Sequence, residues 1–318
     1  MLTDIGIPNW VFRKTHCILI INCRHIMKIT LNNTRSRLIW SIWLSMTVLA
    51  CKKEAPSPPT VPPPTAVSEH LLLGNPSNAV WDTNYSSNYL LESPQFALSY
   101  HRERGIPNWV SWHLSPNWLG TADRADDFRP DTRLPVGWYR VKPTDYASTG
   151  FDRGHFCPSA DRTSSVSDNS ATFLMSNMMP QAPNNNRVTW ENLESYTRKL
   201  VREGNEAYII AGAFGSGGTG ANGGVTYTLA SGKITVPAWT WKIVLVLQQG
   251  ENDLARIAAT TRLIAVKMPN SQTVSNHPWA HYRLSVDELE ALTGYDFLSS
   301  LPVSVQAALE SKADNEPI

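Results

Sequence analysis

The sequence predicts a mixed α+β fold in which a central, mostly antiparallel sheet carries helices on its faces. Apolar residues at helical spacing predict a helix from Arg187 to about Glu203. Two C-terminal helices are expected at 285–292 and 297–309, and the first opens with a Ser-x-x-Glu capping box. Short apolar or alternating segments around these helices predict the strands. Helices and strands that are mixed in this way favour a sheet covered by helices.

The strands are predicted by two kinds of pattern. Residues 108–114 alternate between apolar and polar side chains, whereas 243–247 are apolar without interruption, which is typical of an interior strand. The predicted strands are 108–114, 207–212, 225–229, 234–236, 240–247 and one further strand within 254–268. The glycine-rich stretch 215–224 lacks the Gly-Lys-Ser/Thr ending of a phosphate-binding loop and precedes a strand, so it is expected to be a surface loop.

The first fifty-one residues predict export. Residues 27–51 combine a basic start, an apolar run from Leu38 to Ala50, and Cys51, as a signal peptide does. The end of this segment resembles a bacterial lipobox, so the protein is expected to be exported and lipid-anchored at Cys51 in the cell envelope. An ordinary signal peptide, which would leave the protein secreted, and an unlipidated N-terminal anchor are the alternatives. Residues 1–26 fit neither a globular nor a targeting segment and are interpreted as a mis-assigned upstream extension.

A proline-rich tether follows at 52–70, and the globular domain is expected at 71–318. Without residues 1–50 the chain has 22 basic and 26 acidic residues, a net formal charge of −4. This charge excludes a broadly basic coat for nucleic acid, so an anionic polymer would have to bind a local positive patch. Cys157 is the only cysteine in 71–318, which excludes an intramolecular disulfide there. A thiol nucleophile at Cys157 is the alternative to a buried structural thiol.

The stretch 146–200 holds the residues whose chemistry is most informative. It contains the imidazole of His155, the guanidinium of Arg153, and amide and carboxylate side chains, and Arg124 precedes it in the chain. Hydrolysis of a phosphodiester requires a base, positive charge at the phosphate and stabilisation of the leaving oxygen. His155 can serve as the base, and a hydrated Mg²⁺ ion can stabilise the leaving oxygen. The candidate metal ligands are Asn177, Asn186 and Glu194.

Helical geometry distinguishes two of these candidates. On an α-helix, Asn186 and Glu194 are separated by a rise of about 12 Å and an angular offset of about 80°. Two side chains placed in this way cannot both touch one small ion. We therefore expect Asn186 to bind the metal directly and Glu194 to reach it through a bound water. The alternative is that Asn184–Asn186 form only a turn and a helix N-cap.

Three motifs carry a family resemblance. Asp-Arg-Gly-His at 152–155, Ser-Asn-x-x-Pro-Gln at 176–181 and Asn-x-x-x-Trp-x-x-Leu-Glu at 186–194 follow one another in order. Their sequence and spacing resemble the DNA/RNA non-specific endonuclease family of the ββα-metal superfamily, and the resemblance runs from about Trp109 to Phe297. It implies a nuclease domain that cleaves DNA and RNA internally, with Mg²⁺ as cofactor and Mn²⁺ as a possible substitute.

The same resemblance implies roles for single residues. It places the general base at His155, the direct metal ligand at Asn186, the water-mediated metal partner at Glu194, a supporting amide at Asn177, the phosphate-stabilising arginine at Arg124 and the motif arginine at Arg153. Taken alone, a histidine such as His155 is more often a hydrogen-bonded structural residue, and Arg124, which lies among aspartates, fits a solvated ion pair equally well.

Other interpretations remain open at this point. A carboxylate-based two-metal phosphodiesterase would use the carboxylates of Asp152, Asp161, Asp168 and Glu194. A surface lipoprotein that binds nucleic acid without cleaving it would need no base. His277 and His281 have a spacing that can hold zinc, but a third ligand is not evident and Pro278 lies between them.

Overall fold

The structure, a computed structural model, describes residues 68–318. The predicted upstream extension, the predicted signal peptide with Cys51, and the tether up to position 67 lie outside the described residues. The last part of the predicted tether is already folded, because Glu69–Leu71 form a 3-10 helix and His70 is buried. Ser111 donates its hydroxyl to the carbonyl of His70 at 2.5 Å, which fastens this segment to the sheet. The packed domain therefore begins earlier than the predicted position 71.

Eleven strands and five α-helices make up the described part of the chain. The strands are β1 (Tyr89–Glu92), β2 (Ala97–His101), β3 (Ile106–Leu114), β4 (Asp152–His155), β5 (Met178–Gln181), β6 (Asn205–Phe214), β7 (Thr228–Leu229), β8 (Ile234–Thr235), β9 (Trp239–Gln248), β10 (Arg262–Pro269) and β11 (Arg283–Leu284). The α-helices are α1 (Val166–Ala171), α2 (Glu191–Arg202), α3 (Asp253–Arg256), α4 (Val286–Thr293) and α5 (Val303–Glu310), and a π-helix (Asn185–Trp190) precedes α2. None of the helices between residues 68 and 318 combines the length and the hydropathy of a membrane span.

Seven strands form the central sheet in the order β1-β2-β3-β6-β9-β10-β11, and every neighbouring pair is antiparallel. Two separate hairpins, β4–β5 and β7–β8, lie outside it. The α+β fold with an antiparallel central sheet is thereby confirmed. The apolar run in β9 is explained by its position, since β6 and β10 flank it and both of its faces are buried.

The sheet has a hydrophobic core on each face. Side chains alternate along β3, so Trp112 packs into one core and Trp109 into the other. The first core holds Trp190 of the π-helix and Leu193 of α2. The second core receives apolar residues from α4 and α5. The residues with predicted chemistry and the C-terminal helices therefore lie on opposite faces of the sheet.

Two predicted elements are longer than those observed, and a third agrees with its prediction. The strand predicted at 225–229 is reduced to β7, because Val225 and Tyr227 are exposed and have no sheet to pack on. The helix predicted from position 297 begins only at Val303, because Pro302 cannot donate a backbone hydrogen bond and acts as the N-cap. Helix α4 agrees closely with the prediction, and its capping box forms through Ser285 and Glu288.

Candidate active site

A small hairpin and the helical segment that follows it build the site. Strand β4 is the Asp-Arg-Gly-His motif itself, and it pairs with β5 so that Asp152 is opposite Gln181 and His155 is opposite Met178. Gly154 is required for a steric reason, since a Cβ there would lie 2.1 Å from the Gln181 side-chain oxygen. The chain then enters the π-helix and α2. The three motifs thus form one strand–strand–helix unit.

His155 has the environment of a neutral base. Its Nε2 is buried and has no hydrogen-bond partner within residues 68–318. The rings of Phe173 and Phe128 lie 5.0 and 5.5 Å from the imidazole. Burial, and after it the positive charges of Arg124 and Arg153, together lower the pKa of His155 to about 3. The imidazole is therefore unprotonated at neutral pH and able to accept a proton.

Arg124 and Arg153 each pack on one of the two aromatic rings that neighbour the imidazole. The Arg124 guanidinium carbon is 4.8 Å from the centre of the Phe173 ring, and that of Arg153 is 4.0 Å from the centre of Phe128. Arg124 also donates to the hydroxyl of Ser159 at 2.9 Å and to Asp126 at 2.7 Å. Its side chain is 51% exposed, so the surface ion pair with Asp126 leaves it accessible to an anion.

Asp152 orients the amide of Asn186. The Asn186 Nδ2 donates to Asp152 Oδ2 at 2.9 Å, and Arg187 donates to both oxygens of the same carboxylate at 2.8 and 2.6 Å. An ionised carboxylate only accepts hydrogen bonds, so the amide nitrogen must face Asp152 and the amide oxygen must point away from it. That oxygen is a hard donor suited to Mg²⁺. The role of Asp152 as the residue that orients Asn186 was missed in the sequence.

The helical geometry assumed for Asn186 and Glu194 is wrong. Asn186 lies in the π-helix, whose hydrogen bonds join residues five apart, and only Glu194 lies in α2. The rise and offset of a continuous α-helix therefore do not apply between them. Such π segments occur frequently at functional sites. The assignment of Asn186 as direct ligand and Glu194 as indirect partner rests on the family resemblance and on the side-chain contacts described here.

Glu194 belongs to a buried pair of charges beneath the hairpin. Lys242 of β9 donates to Glu194 at 3.0 Å, and its ammonium lies 4.0 Å from the centre of the Trp190 ring. Burial raises the pKa of Glu194 and lowers that of Lys242, and their mutual attraction opposes both shifts. Next to this pair, Arg198 donates to Asp161 at 2.9 Å. A single lysine within the apolar strand β9 was the signal in the sequence that a buried carboxylate faces it.

Asn177 does not face the site. It is fully buried, its Oδ1 accepts from the backbone N–H of Cys157 at 3.1 Å, and its Nδ2 donates to the carbonyls of Cys157 and Thr172 at 2.9 Å each. Cys157 is two residues beyond His155. Asn177 therefore holds the backbone that leaves β4, which makes it a positioning residue.

The structure argues against a carboxylate-based two-metal site. Asp161 accepts from Arg198 and Trp112, and Asp168 accepts from Ser165 and Gln95 near the start of α1. In the described part of the chain, the groups of three potential ligand residues are His113, Glu206 and Asp253, and Asp287, Glu290 and Glu310, so the four proposed carboxylates do not converge.

Two smaller alternatives also lack support. The rings of His277 and His281 stack at 4.0 Å, but residues 68–318 provide no third ligand beside them. Cys157 is buried, and burial raises its pKa to about 12, so it is a thiol and not a nucleophilic thiolate at neutral pH.

Comparison with known proteins identifies the chain. The model of the DNA/RNA non-specific endonuclease family matches residues 74–304. The chain belongs to this family. A nuclease of Nostoc sp. is 52% identical over 259 residues, which cover 80% of this chain and 91% of the relative. Nuclease C1 of Cunninghamella echinulata var. echinulata is 30% identical over 67% of this chain and 84% of the relative.

A solved structure shows the same fold. A chain in the crystal structure of the EndoG/EndoGI complex aligns with a TM-score of 0.61 and 22% identity, over 76% of this chain and 95% of that chain. The family predicted from the three motifs and the ββα-metal fold are both confirmed. The protein is a DNA/RNA endonuclease, and nucleic acids are its substrates.

Proposed function

We propose that this endonuclease hydrolyses internal phosphodiester bonds of both DNA and RNA, with His155 as the general base and a Mg²⁺ ion held by Asn186. The observation that carries the proposal is the neutral imidazole of His155, whose Nε2 has no partner among the described residues and whose two neighbouring aromatic rings each carry an arginine. A base of this kind accepts a proton from water without first losing one of its own.

The protein residues divide the work of the reaction. His155 takes a proton from the attacking water, and the same burial that keeps the imidazole neutral keeps competing solvent away from it. The half-exposed guanidinium of Arg124 offsets negative charge on the non-bridging phosphate oxygens. Arg153, which packs on Phe128, contributes a second positive charge near the imidazole. Asn177 holds the chain at Cys157, which keeps β4 in place.

The residues present fit a single hydrated divalent ion. Asn186 offers one amide oxygen, which its hydrogen bond to Asp152 already orients. We assign Glu194 to contact a water molecule bound to the ion. Mg²⁺ keeps several waters and needs few protein ligands, which agrees with so small a donor set. When bound, such an ion supplies positive charge at the phosphate and at the leaving oxygen. Mn²⁺ has similar ligand preferences and is expected to substitute.

The proposed recognition does not depend on the base sequence. The phosphate is the proposed contact of Arg124, Arg153 and Asn186. Contacts to phosphate carry no direct information about the base sequence. The net formal charge of −4 over residues 51–318 confines attraction to this local patch. We therefore propose weak sequence preference and binding that weakens as salt increases.

A cleavage experiment tests this function. Supercoiled plasmid and a long RNA are incubated with the purified protein in Mg²⁺ or in EDTA, beside the His155→Ala and Asn186→Ala variants. We expect cleavage of both polymers with Mg²⁺ only, and a loss of about 10²- to 10⁴-fold in rate for His155→Ala. Undiminished cleavage by His155→Ala would remove it as the base. Binding without cleavage by the unaltered protein would favour a nucleic-acid-binding lipoprotein instead.

A further inference from the structure

A second group of carboxylates lies on the face of the sheet opposite the active site. Asp287 and Glu290 are three residues apart on α4 and project from one side of it, and Glu310 ends α5. One carboxylate oxygen from each residue lies within 4.8 Å of the others. Two neighbouring helices thus direct three negative groups at one point.

Glu310 has an environment that disfavours a free carboxylate. The residue is only 5% exposed, and its Oε1 is buried without a hydrogen-bond partner in the described part of the chain. Burial and then the charges of Glu290, Asp287 and Asp296 raise its pKa to about 7. It also stands at the C-terminus of a helix, where the backbone dipole repels negative charge. A cation held between the three carboxylates would give this oxygen a partner and offset the repulsion.

The protein itself does not provide that cation. Within residues 68–318, no lysine, arginine or histidine forms an ion pair with Asp287, Glu290, Asp296 or Glu310. The other ligand group, made by His113, Glu206 and Asp253, differs in this respect. There Arg256 donates to Glu206 at 2.5 Å and to Asp253 at 2.6 Å, so a guanidinium already offsets the charge.

We propose that Asp287, Glu290 and Glu310 bind a calcium ion that joins α4 to α5. Ca²⁺ takes six to eight oxygens in a flexible geometry, and carboxylates together with water supply them in proteins. Mg²⁺ requires a smaller octahedron and prefers to keep its waters. Asp287 is exposed, so the site is open to solvent and an ion can enter it. Water molecules complete the coordination of the ion. The site is separate from the catalytic residues and does not depend on the proposed reaction.

Calcium binding is tested by thermal unfolding of the full chain carrying Asn186→Ala, which removes the catalytic metal ligand. After treatment with EDTA, calcium at about a hundredfold above half-saturation is expected to raise Tm by about 5–10 °C. Glu310→Gln and Asp287→Asn in the same background should abolish or strongly reduce this rise. Glu92→Gln, an exposed change at the end of β1, is the matched control and should keep it. Titration calorimetry should show one calcium site fewer in Glu310→Gln.

The behaviour without calcium provides a second readout. In EDTA at pH 8, Glu310→Gln should unfold at the same temperature as its parent or at a higher one, because it removes a repelled buried charge. A parent protein that calcium does not stabilise would overturn the proposal, as would an equal calcium response in Glu310→Gln. A Mg²⁺ response as large as that of calcium would overturn the choice of ion.

Discussion

Lys242 in the central sheet and His155 in the β4–β5 hairpin are both buried basic side chains, and the structure places them in opposite surroundings. Lys242 contacts a carboxylate at 3.0 Å and the face of Trp190. His155 has aromatic rings and two arginines around it, and its Nε2 has no partner among the described residues. In the sheet a buried charge is compensated. In the hairpin a base is kept uncharged and available.

The difference shows how the two regions divide their tasks. A buried ion pair is costly to break, because removal of one member leaves the other charge in an apolar environment. Such a pair fixes the position of Glu194 under the site. A buried base without a partner contributes nothing comparable to stability, and its isolation is what makes it reactive. Variants of each region should therefore affect different measurements.

The largest effect at neutral pH is expected from Lys242→Met. The change leaves Glu194 buried and unpaired, so the free energy of unfolding should fall by about 3–5 kcal/mol. Urea denaturation measures it. The double variant Lys242→Met with Glu194→Gln should recover most of the loss, and Lys267→Met, at a half-buried position on β10 without an ion pair, should lose much less. Equal losses in the two single variants would show that the pair is not the cause.

Asp152→Ala should act on the metal requirement more than on stability. Without its acceptor the Asn186 amide is free to rotate, so half-saturation of activity should need about 10- to 100-fold more Mg²⁺. The rate of plasmid cleavage as a function of Mg²⁺ concentration measures this change. Asp168→Ala, at a carboxylate held by Ser165 and Gln95, should keep the original requirement. If Asp168→Ala also raised the Mg²⁺ concentration required for activity, the result would favour the carboxylate-based two-metal site.

Because His155 is neutral in the folded protein, the free energy of unfolding should fall as the solution becomes acidic. Its pKa is lowered in the folded state, so below pH 6.5 the unfolded state binds the extra proton first and folding is penalised. Relative to His155→Gln, the unaltered protein should lose up to about 1.4 kcal/mol for each pH unit between about 6.5 and 3. Urea denaturation across this range measures the loss. A constant difference between the two proteins would contradict it, and His277→Gln controls for the loss of an exposed imidazole.

The smallest effect is expected on the far face of the sheet. Ser285→Ala removes the side-chain cap of α4 and should lower the free energy of unfolding by about 1 kcal/mol. Cleavage activity per folded molecule should not change, because α4 and the catalytic hairpin pack on opposite faces. Ser304→Ala, at an exposed position of α5, is the matched control for stability. A loss of activity in Ser285→Ala would show that the two faces are coupled.

Much of this architecture could be predicted because it depends on local patterns. The continuous apolar run in β9, the alternation in β3 and the capping box of α4 each lie within a few neighbouring residues. The short strands β1 and β2 were not predicted, since β2 owes its structure to pairing with β3, and the edge strand β1 owes its structure to pairing with β2. The π-helix was read as a regular α-helix, because apolar spacing does not distinguish the two over so few residues.

By itself the sequence determined the family and the identity of the chemical groups, because the three motifs are contiguous and ordered along the chain. Only the tertiary structure decided how those groups are held. Asp152 meets Asn186 across 34 positions, Lys242 meets Glu194 across 48, and Glu310 meets the carboxylates of α4 only after two helices have packed. Such contacts arise from the closure of long loops onto a common core, and no local pattern of residues records them.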